Sequence, residues 1–272
     1  MSLSGRVYLI TGSTDGIGKH TALRLAQAGG TVLVHGRNRA KGEKVVEELK
    51  TATGNPNIEL FTADFSSLDH IRQMSREVHE RHSRIDVLIN NAGVWENQRI
   101  LSQEGYEMTL AVNVLAPFLL TSLLLDLIPK GRVDSRILIV SSMTQAYNID
   151  FSNLQFERDY SGFAAYGLSK LCDIVFSYEL SDRLRPLGII VNCCDPGTVN
   201  TNMLMKSYGP IGIPIEQADN EFYLATDPKF TGVTGKYFVQ LQDTSSASIS
   251  YDIKTRRRLW QIMEQMTGAT YP

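Results

Sequence analysis

A phenol and an ammonium one helical turn apart are the residues in this sequence best suited to chemistry. In "SGFAAYGLSKLCD", residues 161–173, Tyr166 precedes Lys170 by four positions in a run that otherwise reads as helix. Side chains at i and i+4 share a helix face, so both point into the same space. A free phenol titrates near pH ~10, too high for a proton shuttle near neutrality. A neighbouring ammonium favours the phenolate and draws the phenol toward the range where acid–base catalysis works. The same pair also arises by chance on solvated helices, so its meaning depends on what accompanies it.

Three further segments accompany it. "RILIVSSMT" ends an apolar run on two hydroxyls, Ser141 and Ser142, and "LAVNVLAPF" carries Asn113. "ITGSTDGIGKHTA" places Gly12, Gly16 and Gly18 directly after an apolar strand and at the start of a helix. Glycines there allow a tight turn and bring backbone N–H groups close to a pyrophosphate at the positive helix end. The plainer reading is a structural tight turn. At the end of the second strand the chain reads "VHGRNRAKGE". Gly36 stands where an NAD enzyme offers an acid to the ribose 2′-hydroxyl, and Arg37 and Asn38 follow. With no carboxylate to repel a 2′-phosphate and Arg37 able to clamp one, NADP(H) is the expected cofactor. NAD(H) is the alternative if Arg37 is only a solvated loop charge.

The spacing G-x-x-x-G-x-G, with "INNAG" at 89–93 and Tyr166-x-x-Ser169-Lys170, resembles the short-chain dehydrogenase/reductase family over nearly the whole chain. The resemblance implies a nucleotide held by Gly12, Ser13, Thr14, Asp15, Gly16, Ile17 and Gly18. It implies Asp64 and Phe65 near the adenine, and Asn91, Ala92 and Gly93 on the adenosine and ribose side. "DPGTVNT" would bring Pro196, Gly197, Val199 and Thr201 beside the nicotinamide. The implied catalytic group is Asn113, Ser142, Tyr166 and Lys170, with Ser141 as the fallback for Ser142. Ser142 would polarise a carbonyl, Tyr166 would exchange its proton, and Lys170 would hold the ribose hydroxyls and the phenol's charge. Asn113 would hold a water leading from Lys170 to solvent. The implied reaction is hydride transfer between the nicotinamide and a carbonyl or alcohol substrate, with no metal.

Ser142 and Tyr166 lie 24 positions apart, a longer interval than is usual in the family. The extra residues, "MTQAYNIDFSNLQFERDYSGF", resemble the insertion of the retinol-dehydrogenase-like branch, as do "GKYF" and the closing "RRRLWQIMEQMTG". That likeness implies lipophilic aldehydes, ketones or alcohols, retinoid- or steroid-like. Tyr147, Phe151, Phe156 and Tyr160 would line such a pocket or else pack the insertion onto the sheet. Asp195 stands where relatives commonly carry His, as a strand-end cap or as part of the nicotinamide pocket. The stretch "MLMKSYGPIGIPI", 203–215, reads as a lid over the substrate or as a packed surface loop.

The elements that must position these groups alternate. Short apolar runs at 6–11, 31–36, 58–63, 87–90, 136–141 and 189–194 read as strands covered on both faces, and 235–240 as an edge strand. Between them lie helical patterns at 16–28, 41–50, 68–81 and 105–127, and a last helix carries Leu259, Ile262, Met263 and Met266 on one stripe. Such alternation predicts an α/β fold: a Rossmann-type, doubly wound parallel sheet with helices on both faces. One domain over 1–272 is expected, with substrate loops at 143–160 and 199–230 beyond the carboxyl ends of strands.

Bulk properties narrow the classes. Lys and Arg number 27 against 29 Asp and Glu, a formal net charge of −2, which argues against nucleic acid as a partner. "RRR" at 256–258 reads as the solvated face of the last helix. Three cysteines read as reduced core thiols, with Cys193 and Cys194 on opposite strand faces, and the five histidines show no metal-ligand spacing. "MSLSG" leaves no room for a leader, and "LAPFLLTSLLLDLI", interrupted by Pro117, reads as too short to span a bilayer, so a cytoplasmic protein with no transmembrane segment is expected. A homo-oligomer through the helices of Asn113 and Tyr166 is implied by the resemblance alone. The competing readings are a nucleotide-sugar epimerase or dehydratase, which would use another glycine spacing, and a catalytically silent NADP-binding sensor or scaffold.

Overall fold

The structure is a computed structural model that describes residues 2–132 and 134–272. Its strands are β1 (Val7–Ile10), β2 (Thr31–Gly36), β3 (Ile58–Thr62), β4 (Val87–Asn90), β5 (Arg136–Val140), β6 (Ile190–Asp195), β7 (Tyr237–Val239) and β8 (Gln242–Asp243). They form one sheet in the order β3-β2-β1-β4-β5-β6-β7-β8. All neighbours pair in parallel except β7 and β8, so the order reverses between β1 and β4, where open α/β sheets form their ligand crevice.

The apolar runs are apolar throughout because both faces of the sheet are covered. Leu9, Leu33, Leu88, Ile137, Ile139 and Cys193 face one core, and Tyr8, Ile10, Val34, Ile89, Leu138 and Cys194 face the other. The adjacent cysteines thus separate across the sheet as strand alternation demands, and both are buried, as is Cys172.

Helices α1 (Gly16–Gln27), α2 (Arg39–Thr53) and, later in the chain, α8 (Asn220–Thr226) cover the second core with residues such as Leu25, Leu49 and Leu224. The first core is covered by α3 (Leu68–Arg81), α5 (Ala116–Leu124), α6 (Gly162–Leu184) and α9 (Ile253–Thr267). A short α4 (Met108–Leu110) runs through a π turn, Ala111–Leu115, into α5, and α7 (Asn202–Tyr208) follows β6. Side-chain oxygens of Asp15, Asn38, Ser67, Ser161 and Asp252 cap α1, α2, α3, α6 and α9, which fixes where each helix begins.

Three sequence expectations need correction. The segment Met108–Leu127 is long and apolar enough to cross a membrane by length and composition, with mean hydropathy 2.0, yet 83% of that window is buried inside the fold. Strand β8 was not foreseen. The turn before it places Gln240 and Leu241 at φ 48° and 62°, both left-handed, without the Asn-Gly or Asp-Gly pair that usually marks such a hairpin. In the arginine run, Arg256 is not solvated: it reaches the Glu179 carboxylate at 3.2 Å, and also Asp182, from α9 to α6. Arg258 lies 4.2 Å above the Phe151 ring.

Of the two alternatives for the insertion, its contacts favour packing. Ile149 and Leu154 are buried, Phe151 carries Arg258, and Phe156 meets Tyr160 edge-on at 6.1 Å. The Tyr160 hydroxyl bonds the Glu96 carbonyl at 2.9 Å and the Glu107 carboxylate at 3.2 Å, and Glu107 itself caps α4. Tyr147 is 86% exposed. Phe151, Phe156 and Tyr160 anchor the 143–160 segment to the body of the fold, and none of them lines the cleft.

Candidate active site

At the carboxyl edge of the sheet the glycine turn is locked by close approach. Gly12 has φ 66°, and a Cβ there would lie 2.8 Å from the Ala92 Cα. A Cβ on Gly18 would lie 2.4 Å from the Asn91 carboxamide nitrogen and 2.7 Å from the Gly12 carbonyl. That carboxamide donates to the Thr11 carbonyl at 2.7 Å, while the Thr11 hydroxyl accepts from the Asn91 and Ala92 amides at 3.0 and 2.9 Å. The glycine motif and "INNAG" are thus two halves of one knot.

His35, to which the sequence reading gave no chemistry, completes it. The Gly12 amide donates to His35 Nδ1 at 3.1 Å, and Nε2 lies 3.1 Å from the Ala63 carbonyl. Those partners assign a neutral ring with its proton on Nε2. Burial pushes the imidazole down to about 4, and the ring stacks on Phe65 at 4.2 Å. Ser13 is fully buried and works within the turn: its hydroxyl donates to the Ile10 carbonyl at 2.8 Å and accepts from the His35 amide at 3.0 Å.

A cleft of about 610 Å³ runs from Gly36 and Arg37, past Asp64 and Phe65, over the turn, to Tyr166 and Lys170. Gly12, Thr14, Asp15, Gly16, Ile17, Gly18, Asn91, Ala92, Gly93, Pro196 and Thr201 line it, as the resemblance implied. An extended dinucleotide fits these walls, because one cleft reaches from Gly36 and Arg37 over the glycine turn to Tyr166 and Lys170. The helix terminus of α1 points its free N–H groups there.

Asn38, Gly197 and Val199, like Ser13, do not line this cleft. Asn38 spends its side-chain oxygen on the Lys41 amide at 2.9 Å as the cap of α2. Val199 is buried and bridges to Ile213. Gly197 donates its amide to Asp195 at 2.7 Å. Beyond them, Asn200 and Gly212 exchange hydrogen bonds of 2.8 and 2.7 Å that close the base of the 203–215 segment, and Met203 and Lys206 of α7 line the cleft mouth. Asp15 joins that segment to the nucleotide side, accepting from Lys41 at 2.7 Å and from Asn202 at 2.9 Å.

At the far end the catalytic candidates converge. The Ser141 hydroxyl donates to the Lys170 carbonyl at 2.6 Å, so it is spent on the α6 backbone. The Ser142 hydroxyl instead accepts the Thr144 amide at 3.1 Å and acts to lower both the Tyr166 phenol and the Asp195 carboxyl. Asp195 also accepts the Met143 amide at 2.7 Å, so it clamps the loops after β5 and β6 together behind Ser142. Lys170 is 5% exposed; its ammonium donates to the Val140 carbonyl and to Asp173, each at 2.9 Å, and lies 5.7 Å from the Tyr166 ring centre.

The charges do not add up as the sequence suggested. Burial raises Tyr166 and outweighs the downward pull of Lys170, with Asp173 raising it further, so the net direction is up. For Lys170, burial acts downward, but the Asp173 carboxylate reverses it and holds the ammonium charged.

Asn113 sits in the π turn, a widened helical geometry that recurs at functional sites. Its carboxamide oxygen accepts the Val94 amide at 2.8 Å, and its nitrogen donates to the Val94 carbonyl at 3.0 Å and to Ser169 at 2.9 Å. Both amide hydrogens are spent stapling the loop after β4 to α6.

Sequence reasoning missed Trp95. Its indole stacks on the Tyr166 phenol at 4.6 Å and tilts against Phe163 at 5.9 Å, forming an aromatic wall beside the phenol. Its place directly after "INNAG" was the available signal.

The comparisons with known proteins agree with this geometry. The family model described as short chain dehydrogenase matches residues 6–210. Human retinol dehydrogenase 13 is 35% identical, the alignment covering 100% of this chain and 87% of that protein. Human polyprenol dehydrogenase is 34% identical over 97% of this chain and 85% of its own length. Among solved structures, a Mycobacterium paratuberculosis protein superposes with a TM-score of 0.82 at 28% identity, covering 100% of this chain and 96% of that one. A Shigella flexneri short chain dehydrogenase complexed with NADP superposes with a TM-score of 0.70 at 25% identity, covering 87% and 97%. The chain belongs to the short-chain dehydrogenase family of oxidoreductases, in a branch similar to the retinol dehydrogenases.

Proposed function

We propose that this protein is an NADP(H)-dependent oxidoreductase that interconverts a lipophilic carbonyl compound and its alcohol. The observation that carries the reading is the convergence of the Ser142, Tyr166 and Lys170 side chains at the end of a cleft whose other end is the glycine turn. When bound, the nicotinamide supplies or accepts the hydride. In the reducing direction Ser142 and Tyr166 hydrogen-bond the substrate oxygen, and Tyr166 releases its proton to that oxygen as hydride reaches the carbon. The phenolate left behind is stabilised by the Lys170 ammonium until a solvent proton replaces the one lost.

NADP(H) is favoured because Gly36 offers no carboxylate and Arg37 stands exposed at that edge of the cleft. The lipophilic class is supported by the apolar side chains Val94, Trp95, Ile100, Val112 and Met203 on the walls, and by relatives named for retinol and polyprenol.

The test is NADPH oxidation across aromatic, aliphatic and isoprenoid aldehydes and ketones, with Tyr166→Phe as control. Turnover that prefers NADPH to NADH and falls by at least ~10³-fold in the mutant is expected. Undiminished turnover in Tyr166→Phe overturns the reading.

A further inference from the structure

Lys170 is placed to lend positive charge to a phenol, yet it is bonded to an acid. The Lys170 ammonium and the Asp173 carboxylate are 2.9 Å apart on α6, one turn from each other, with side chains only 6% and 2% exposed. The second carboxylate oxygen of Asp173 is buried with no hydrogen-bond partner. A buried acid with half of its acceptor capacity unused costs stability, and an apolar residue would fill the position without that cost. Among the described residues, its one side-chain hydrogen-bond partner is the lysine that faces Tyr166.

Opposite charges at this separation leave a dipole in place of a point charge. The phenol, 5.7 Å from the ammonium, then experiences a field that Asp173 has partly cancelled. Other groups face the same space. Asp195 and Cys193 come from β6, Ser142 from the end of β5, and Asn113 from the π turn. Of these, Cys193 is kept neutral by burial, and Ser142 and Asn113 carry no charge. Asp195 is clamped on two backbone amides and Ser142. Asp173 is therefore the acid in direct contact with the charge that tunes Tyr166.

We propose that Asp173 is a positioning residue: it anchors the Lys170 ammonium and offsets part of its field, so setting the pH range in which Tyr166 exchanges its proton. This rests on the proposed role of Tyr166. The direction of the shifts agrees, since Asp173 acts on the phenol against Lys170.

The experiment is the pH profile of kcat/KM for alcohol oxidation, where activity rises as Tyr166 loses its proton. Asp173→Asn keeps an acceptor for Lys170 and removes the charge. Its rising limb is expected to move to lower pH by about one unit, as removal of a nearby charge does, with KM for the cofactor changed less than threefold. Asp173→Glu, which keeps the charge, is expected to stay within half a unit of the wild-type midpoint. A midpoint unmoved in folded Asp173→Asn, or moved to higher pH, overturns the proposal. Should that variant not fold, Asp173→Ser carries the same expectation, and failure of both to fold assigns the acid a structural role and also overturns it. Tyr166→Phe is measured alongside. If it turns over, the reading of the site fails; if it is inert while the Asp173→Asn midpoint stands still, only the role of Asp173 fails.

Discussion

The Trp95 indole lies nearly flat on the Tyr166 phenol, with ring centroids 4.6 Å apart and planes 17° from parallel. One face of the phenol is thereby closed, and Phe163, which is 57% exposed, flanks the same indole. Stacked aromatic pairs contribute about 0.5–1.5 kcal/mol beyond area burial. Trp95→Leu is expected to lower kcat/KM for aryl and polyene carbonyls by about 3–10-fold relative to short aliphatic ones, a ratio read from paired kinetics. The chain holds two tryptophans, and the other, Trp260, is buried at 1% exposure. Cofactor binding should therefore change the fluorescence of Trp95 and leave a Trp95→Leu variant almost silent.

His35 gives the fold an acid limit. Its ring must be neutral to accept the Gly12 amide, and its pKa drops from 6.5 to about 4 on burial. A depressed pKa means that the unfolded state binds the proton first, so stability is intact above pH 6.5 and erodes as pH falls toward 4. Taken at face value the shift corresponds to about 3 kcal/mol. Thermal unfolding followed from pH 7 to pH 4 should show that slope in the wild type. His35→Gln, which cannot take up the proton there, should start less stable and lose less over the same range.

What the sequence disclosed and what it hid follow from range. Period and punctuation are local, so the seven longer strands were readable, as was the split of Cys193 and Cys194. The helix of Tyr166 and Lys170 was equally plain. The partner of each polar group was not, because it lies far along the chain. Asn113 bonds Val94 and Ser169, and Asp195 bonds Met143. The aromatics of the insertion left pocket lining and packing open, and Phe151, Phe156 and Tyr160 pack, since only the path of the loop decides which way they face. Asn38 was expected among the cofactor contacts, and its side-chain oxygen caps a helix.

The two serines after β5 are separable by experiment. Ser141 donates to the Lys170 carbonyl from a buried position, whereas Ser142 faces Tyr166. Ser142→Ala is expected to cut kcat by about 10²–10³-fold with the NADPH dissociation constant unchanged, as loss of an oxyanion-type donor does. Ser141→Ala should instead remove one extra hydrogen bond to a carbonyl that α6 already pairs and cost about 0.5–1.5 kcal/mol in unfolding free energy. Equal kinetic damage in both would mean that the assignment of roles is mistaken.

Cofactor choice turns on the end of β2. Arg37→Ala is expected to raise KM for NADPH about 10-fold or more and to leave KM for NADH within twofold, consistent with the loss of one charge-assisted contact. The reverse engineering is obstructed by packing. A Cβ on Gly36 would lie 2.5 Å from Thr14 Cγ2 and 2.8 Å from its hydroxyl. Gly36→Asp alone should therefore weaken both cofactors, and adding Thr14→Ala should restore NADH use specifically.

The last helix decides what the α5–α6 face can do. Trp260 of α9 is buried among Phe118 of α5, Phe176 of α6 and Tyr271, at centroid distances of 5.0, 6.0 and 4.7 Å. Arg256 ties the same helix to Glu179 of α6, and Arg183 lies 4.1 Å above the Trp260 ring. A second copy approaching the helices of Asn113 and Tyr166 would therefore meet α9 and not the apolar surface beneath it. The chain is expected to elute as a monomer at micromolar concentration in light scattering coupled to size exclusion. Trp260→Ala should cost about 3–5 kcal/mol, the range for emptying a large aromatic site, and so lower the melting temperature by roughly 10 °C. Because the loosened helix uncovers apolar surface, that variant should also self-associate as concentration rises. A wild-type dimer that Trp260→Ala abolishes would show instead that α9 itself forms the contact between copies.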